Sequence, residues 1–150
     1  MTELPDAKKT IREHSFGFLI QTLARRIDMK MKELLKVHDV DLKVFANLMF
    51  LSVKDGVTQR EIGNKLNFPE YYTSRNVDAL IRDGFAERRP NPDSRRSMLV
   101  FLTEKGRAKA RELPEVIRAS NEESLAGLTE EERAQVIRLL QKVVGLPPED

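Results

Sequence analysis

Apolar residues near the start of the chain fall on one stripe at the spacing of a helix. The stripe consists of Phe16, Leu19, Ile20, Leu23, Ile27, Met31, Leu34 and Leu35. Polar residues such as Arg25 and Lys32 lie off it. The pattern predicts one helix from about Lys9 to Val37. At ~1.5 Å per residue such a helix is about 40 Å long, which is longer than a small core can cover.

A second, strongly apolar helix is predicted from about Leu42 to Lys54, followed by a turn at Asp55-Gly56. The stretch "TQRE", Thr58 to Glu61, has the form of a capping box, in which two side chains satisfy free backbone groups at a helix start. It opens a short helix whose inward residues are Ile62 and Leu66.

The next helix begins near Pro69, which suits a first helical turn, and runs to about Asp83. Gly84 fits the position that follows a helix end. The predicted buried face of the helix that begins near Pro69 consists of Val77, Leu80 and Ile81.

Two short strands, Phe85 to Arg89 and Met98 to Leu102, flank the turn-rich segment "PNPDSR". Thr103 then caps a long helix to about Leu125, which Pro114 kinks or interrupts. A second capping box, Thr129 to Glu132, opens the last helix. The apolar positions of that helix are Val136, Ile137, Leu140 and Val143.

This order of elements predicts a mainly α chain with a small β-hairpin wing, an α+β class. The segment from Thr58 to Gly84 forms a helix-turn-helix, and the hairpin makes it a winged helix-turn-helix. Long helices at both ends of the chain complete the predicted fold.

Length, cysteine content and charge narrow the function. A chain of 150 residues suits one domain, and the absence of cysteine excludes disulfides and thiolate metal sites. Residues 112–150 carry a net charge of −5 and residues 1–111 a net of +7, an asymmetry typical of nucleic-acid binders. There is no apolar run of about 18 residues and no signal-like start, so we expect a cytoplasmic protein without a membrane span.

The stretch "EYYTSRN" at the start of the helix after Pro69 offers hydrogen-bonding groups suited to the DNA major groove. Helical phase places part of it outward and part at the edge, although one tyrosine could pack against the neighbouring helix. The candidate DNA contacts are Tyr71, Tyr72, Thr73, Ser74, Arg75 and Asn76.

The hairpin tip carries two further candidates, Arg95 and Arg96. A guanidinium at such a tip can enter a narrow minor groove, where the potential is most negative. Two charges on a solvated turn are the alternative. The position directly after a helix-turn-helix favours DNA contact.

From Asp41 to Gly106 the chain resembles the MarR family of bacterial winged-helix regulators, most specifically in the wing signature D-x-R-x-x-x-x-x-L-T. Alignment on the final Leu-Thr places the arginine of the signature at Arg96 and its aspartate at Ser94, while Asp93 lies one position early. Either Ser94 caps the turn instead, or Asp93 pairs with an arginine after a small shift. We expect Arg96 to enter the groove.

The apolar stripes of the terminal helices exceed what one winged unit can cover, so we expect a two-fold dimer. The resemblance likewise implies interlocked terminal helices. We assign residues 1–150 to one MarR-like domain, with dimerisation helices at 9–37 and 104–145 and a DNA-binding lobe at 41–103. An antiparallel bundle within one chain is the alternative.

The expected function is a regulator that binds a near-palindromic double-stranded operator as a homodimer. The resemblance implies a repressor released by a small aromatic ligand in a pocket between the dimer helices and the lobe. We expect no enzyme and no cofactor, because the chain has two histidines, no cysteine, no G-x-S-x-G and no glycine-rich phosphate loop.

Two alternatives keep the same fold. A metal-responsive regulator could use His38, Asp39 and Asp41, with His14 across a helix pair, although His38 also suits a polar helix end. A winged helix used only for protein contacts is the other alternative. Such modules tend to lack wing arginines and outward polar donors on this helix.

Overall fold

The computed structural model describes residues 7–147, with side chains from residue 11 onward. Eight helices and three strands lie in this part of the chain. The helices are α1 (Ala7–His14), α2 (Phe16–Lys36), α3 (Leu42–Val53), α4 (Gln59–Leu66), α5 (Glu70–Arg82), α6 (Glu104–Glu112), α7 (Pro114–Ser124) and α8 (Glu130–Val144). The strands are β1 (Val57–Thr58), β2 (Ala86–Asn91) and β3 (Ser94–Leu102). None of the described helices is long and apolar enough to cross a membrane.

The chain divides into two compact units. We call Asp28–Ile117 the central unit, and Met1–Ile27 together with Arg118–Asp150 the terminal unit. Every buried apolar side chain of the described residues lies in the central unit, between Met31 and Val116. The mainly helical winged architecture predicted from the sequence is confirmed.

The single N-terminal helix predicted from Lys9 to Val37 is wrong, because the chain leaves the helix at Ser15. The hydroxyl of Ser15 accepts a hydrogen bond from the Phe18 amide at 3.4 Å, and its carbonyl accepts one from Leu19 at 3.0 Å. Serine therefore opens α2 in the manner of an N-cap. The apolar stripe itself begins at Phe16, directly after this break, and the predicted helix was extended upstream over residues that are not part of the stripe.

Local capping signals place the helices of the winged motif. Thr58 and Glu61 form the predicted capping box at the start of α4, with bonds of 3.2 and 2.8 Å. Asn67 ends α4 in the left-handed region, and Gly84 follows α5 with φ +79°. Val77 and Leu80 are fully buried as predicted, whereas Ile81, expected beside them, is only half-buried.

The predicted hairpin is present, but it belongs to a sheet of three strands in the order β1-β3-β2. Val57 pairs with Val100 and Ala86 with Leu102, both in antiparallel ladders. Two residues are too few to show an alternating pattern, so β1 left no signal in the sequence. Because β1 leads directly into α4, it ties the base of the wing to the helix-turn-helix.

The junction between the wing and α6 requires close backbone contact. A Cβ at Gly106 would lie 2.0 Å from the Phe85 carbonyl oxygen, so a glycine is needed there. Asp55 accepts a bond from the Leu102 amide at 3.0 Å and another from Arg107 at 2.7 Å. These contacts hold the end of β3 and the start of α6 in one position.

Pro114 interrupts the helix that follows the wing, which is one of the two outcomes that the sequence left open. Helix α6 stops at Glu112, Leu113 caps it, and α7 starts at Pro114. A proline at a first helical position loses no hydrogen bond, because that amide has no partner within the helix. Leu113 itself is fully buried, so the break also turns an apolar side chain into the core.

In the terminal unit, α8 begins with the predicted capping box of Thr129 and Glu132 and ends at Gly145 with φ +80°. Although fully described, this helix contains no buried residue. Its exposed large apolar side chains, together with those of the tail that follows, are Ile137, Leu139, Val143, Val144 and Leu146.

Candidate nucleic-acid interface

Helix α5 presents one outward stripe of side chains. Tyr71 is 67% exposed, Arg75 and Asp78 are exposed, and Ser74 is half-exposed. Their spacing of three and four residues places them along a single face. The stripe offers a phenol, a hydroxyl and a guanidinium, the groups that bond to base edges and phosphates.

Thr73 and Asn76 do not face outward as expected, since they are 0% and 4% exposed. Thr73 lies four residues before the buried Val77, and Asn76 lies four residues before the buried Leu80, on the face that packs into the lobe. The Thr73 hydroxyl donates to the Pro69 carbonyl at 3.1 Å. Their polar character suggested an outward position, but the phase set by the buried valine and leucine decides their place.

The two tyrosines divide between the expected roles. Tyr72 is half-buried, and its ring meets that of Phe68 edge to face, with centroids 5.0 Å apart and planes at 84°. Such aromatic pairs contribute about 0.5–1.5 kcal/mol beyond their burial. Tyr72 thus supports the turn between α4 and α5, while Tyr71 extends outward.

The tip of the wing is tighter than the sequence suggested. Residues Pro92 and Asp93 alone form the turn, and β3 begins at Ser94. Asn91 pairs with Ser94, yet Pro90 pairs with Met98, so the ladder is irregular on the β3 side. This irregularity re-aims side chains, as bulges at strand ends commonly do.

Arg95 and Arg96 lie in that irregular segment, and both are exposed. The Asn91 amide bridges it, since its nitrogen donates to the Ser97 hydroxyl at 2.8 Å and its oxygen accepts from the Asp93 amide at 3.0 Å. Two guanidinium groups are thereby presented on a short, internally bonded tip.

Ser94 takes the position at which the wing signature places an aspartate. Its hydroxyl accepts a bond from the Arg96 amide at 3.4 Å. Within residues 11–147, Asp93 forms no ion pair with an arginine. Of the two alternatives raised by the sequence, the geometry follows the serine cap.

Sequence reasoning missed a third arginine. Arg88 of β2 donates from Nη2 to Asp78 of α5 at 2.7 Å and to Gln59 of α4 at 3.2 Å. This contact places β2 beside the outward stripe of α5. The signal was an acid on that stripe and an arginine on the following strand, but nothing in the sequence showed that the two meet.

The next residue of β2, Arg89, lies against the Phe101 ring, with its guanidinium carbon 4.2 Å from the centroid, and pairs with Glu87. Arg88 and Arg89 point to opposite faces of the strand, as successive strand residues do. The wing therefore carries arginines along both its faces and at its tip.

The residues proposed for a metal do not gather into a site. Across residues 11–147 there is no cluster of three or more histidine, aspartate or glutamate side chains able to hold an ion. Nδ1 of His38 lies 3.1 Å from Glu112 instead. This hydrogen bond, and next the one from Lys109, lower the pKa of Glu112 from its ordinary 4.5.

Known proteins resemble the chain over most of its length. A MarR family model matches residues 38–97. The HTH-type transcriptional regulator BilQ of Clostridium symbiosum is 28% identical over 131 residues, which cover 87% of this chain and 91% of that protein.

Solved structures of MarR proteins are similar to this chain in fold. A mutant of MarR from Escherichia coli complexed with operator DNA superposes with a TM-score of 0.80 at 28% identity, covering 89% of this chain and 96% of that one. A MarR family protein of Mycobacterium tuberculosis in complex with salicylic acid gives a TM-score of 0.71 at 25% identity, covering 86% and 96%.

The matched family segment contains the helix-turn-helix and the wing tip with its arginines, and the full-length relatives extend the match into the terminal helices. An outward polar helix beside an arginine-bearing wing is the geometry that such proteins use on duplex DNA. The chain is thus similar to the MarR family over its winged helix-turn-helix and to individual members over most of its length, and it is a DNA-binding transcription regulator of the winged-helix type, not an enzyme.

Proposed function

We propose that this regulator is a homodimeric repressor of a near-palindromic operator, released by a small aromatic ligand. The observation that supports it best is the outward stripe of α5 beside the arginine-bearing wing. A helix of this kind fits the major groove, while a flanking arginine suits the narrow minor groove. Binding to a bacterial operator also implies that the protein is located in the cytoplasm.

The proposed contacts follow from exposure. Tyr71, Ser74 and Arg75 lie on the outward stripe, so they contact bases and phosphates in the major groove. Arg95 and Arg96 lie at the exposed wing tip and contact the adjacent backbone and minor groove, with Arg96 inserted. Tyr72, Thr73 and Asn76 support the helix from beneath.

The proposed dimer rests on the terminal unit. Its exposed apolar side chains on α2, α8 and the tail after α8 include Phe16, Leu19 and Ile137. Apolar surface of this extent marks a partner surface, and a two-fold contact with a second copy closes it. We therefore assign helices within 9–37 and 104–145 to dimerisation and residues 41–103 to DNA.

The ligand is proposed from the salicylate complex of the Mycobacterium tuberculosis relative. A ligand that binds one spacing of the two lobes better than another shifts the population and changes operator affinity. Salicylate is the first probe to test. We expect it to weaken operator binding without changing the sedimentation of the dimer.

Selection of duplexes from a random library tests the function. We expect enrichment of a near-palindrome whose half-sites lie about one helical turn, about 34 Å, apart. Affinity for the selected duplex should fall steeply with rising salt, because phosphate contacts release counterions.

A scrambled duplex of the same composition is the control for sequence preference. Sedimentation of the free protein measures the dimer. Failure to enrich any sequence contradicts the regulator, and a monomer at micromolar concentration contradicts the dimer.

A further inference from the structure

We propose that Arg88 is a positioning residue that pins the wing to the recognition helix α5 and neutralises Asp78 at the DNA-facing surface. The inference rests on the proposed contact of the outward stripe with DNA. It adds a residue that acts through two others, without touching a base itself. Three elements, α4, α5 and β2, meet at its guanidinium.

We call the contact of Arg88 with Asp78 and Gln59 the pin, and its geometry is specific. Nη2 of Arg88 lies 2.7 Å from an oxygen of Asp78 and 3.2 Å from the amide oxygen of Gln59. The Arg88 side chain is 33% exposed and the Asp78 side chain 61%, so solvent screens the pair, and its role is to fix geometry more than to add stability. Gln59 is the first residue of α4, directly after the N-cap residue Thr58. The guanidinium thus links the starting turn of α4, the middle of α5 and the base of the wing.

Asp78 explains why such a partner is needed. It lies three residues after Arg75 and seven after Tyr71, on the outward stripe. A bare carboxylate there faces the phosphates and repels them. A paired carboxylate carries no such penalty and instead fixes the strand relative to the helix.

The rival role for Arg88 is a direct phosphate contact. That role predicts that removing Asp78 frees the guanidinium and strengthens binding to any duplex. It also predicts that Arg88→Ala lowers the salt slope by about one. The positioning role predicts no gain of affinity from Asp78→Asn and an unchanged salt slope for Arg88→Ala, so the two roles are distinguishable.

The DNA experiment uses the duplex selected by the unmodified protein and a scrambled duplex. For Arg88→Ala we expect about a tenfold loss of affinity for the selected duplex, with an unchanged salt slope. Asp78→Asn should reduce the ratio of selected to scrambled affinity. The double variant Arg88→Ala with Asp78→Asn should recover part of the loss, because the bare carboxylate is gone, and Arg88→Lys should recover part through its retained charge.

Arg82→Ala is the matched control. It removes the same charge from the adjoining helix α5, but Arg82 is exposed and, within residues 11–147, its ion pair is with its neighbour Asp83, at 3.6 Å. We expect it to leave the affinity ratio unchanged. Tighter binding by Asp78→Asn, or a lower salt slope in Arg88→Ala, overturns the pin in favour of direct contact.

A measurement without DNA separates this inference from the proposed function. The chain has no cysteine, so Glu70→Cys on α5 and Asp93→Cys at the wing tip accept two spin labels and no others. The labelled protein is mixed with excess unlabelled protein, so that distances come from within one chain. We expect a narrow distribution that broadens in Arg88→Ala and narrows again in Arg88→Lys.

An unchanged distribution in Arg88→Ala overturns the pin, whatever the protein does with DNA. Failure to select any duplex contradicts the proposed function, and the spin-label distances still decide the pin. Thermal unfolding of each variant accompanies both measurements. A broadened distance distribution in a variant that unfolds at the same temperature as the unmodified protein supports positioning rather than general loss of structure.

Discussion

The central and terminal units differ in how far their apolar side chains are buried. The central unit contains every buried apolar residue of the described chain, from Met31 to Val116. In the terminal unit, most of the large apolar side chains of α8 and the tail after it are exposed, and α8 has no buried residue at all. One unit completes its core within the chain, and the other leaves its apolar surface to be covered.

This difference separates two kinds of stability. The winged lobe draws its stability from its own core, whereas the terminal helices gain theirs from association in the proposed dimer. Mutations should therefore divide by unit into those that unfold the chain and those that dissociate the dimer, while residues at the DNA-facing surface should change neither.

The largest expected effect is on the lobe core. Leu48 of α3 is fully buried, so Leu48→Ala should lower the free energy of unfolding by about 2–5 kcal/mol through lost transfer energy and a cavity. Denaturant unfolding at fixed protein concentration measures it. A loss below about 1 kcal/mol would show that this core is not where the stability of the lobe resides.

Next comes the terminal unit. Ile137→Glu on α8 should raise the dimer dissociation constant at least about tenfold, since an unpaired charge would be buried at the contact. Sedimentation measures it, and circular dichroism checks that the helix persists. Gln135→Glu, which adds the same charge to an exposed polar site of α8, is the control. Equal effects of both variants would contradict an apolar contact through Ile137.

At the wing tip, Arg96→Ala should weaken binding to the selected duplex by about 1–3 kcal/mol, the scale of one good specific contact. Sedimentation should show the same dimer, because Arg96 is exposed and lies in the central unit. Affinity measured at moderate salt tests it against Arg95→Ala. If Arg95→Ala weakens binding to the selected duplex and Arg96→Ala does not, the inserted arginine has been assigned to the wrong position.

On the recognition helix, Arg75→Ala should change which bases are preferred more than it changes the overall affinity. A guanidinium on the outward stripe reads guanine, and its loss relaxes that position of the operator. Repeating the library selection with the variant is the measurement. An unchanged consensus together with a shallower salt slope would make Arg75 a phosphate contact.

The smallest effect concerns two acids, one in each unit. Hydrogen bonds with His38 and Lys109 lower the pKa of Glu112, and the Thr129 amide and hydroxyl lower that of Glu132. A lowered pKa in the folded state gives stability above the ordinary value of 4.5 that is lost as the pH falls through the lowered pKa.

Accordingly, Glu112→Gln should cost a little stability at neutral pH and nothing at a pH below the lowered pKa. Denaturation midpoints across that range measure it. The same comparison for Glu132→Gln should show a smaller loss, because glutamine also completes a capping box. A pH-independent loss in Glu112→Gln would mean that the side chain acts through packing rather than through its charge.

Short-range signals were read correctly from the sequence. Residues within three or four positions of one another determine the capping boxes at Thr58 and Thr129 and the helix interruption at Pro114, so these features can be recognised from short stretches of sequence. The break at Ser15 was also local, but the predicted helix was extended to Lys9, upstream of the first stripe residue, Phe16. At that boundary the start of the apolar stripe coincides with the start of α2.

Positions that depend on distant residues could not be read in the same way. Strand β1 exists because two residues pair with β3, more than forty positions away. Thr73 and Asn76 look like outward donors until the packing of α5 turns them inward. The contact of Arg88 with Asp78 and Gln59 joins three elements whose sequences contain no mark of one another.

The sequence by itself determined the order of helices and strands, the winged helix-turn-helix and the arginines at its tip. Capping, helical phase and turn residues act over a few residues, and those interactions are the same in any tertiary context. Only the tertiary structure decided which polar side chains of α5 face outward, how β1 joins the wing, and where Asp78 finds its partner. Those outcomes depend on which surfaces pack together, a property of the folded chain as a whole.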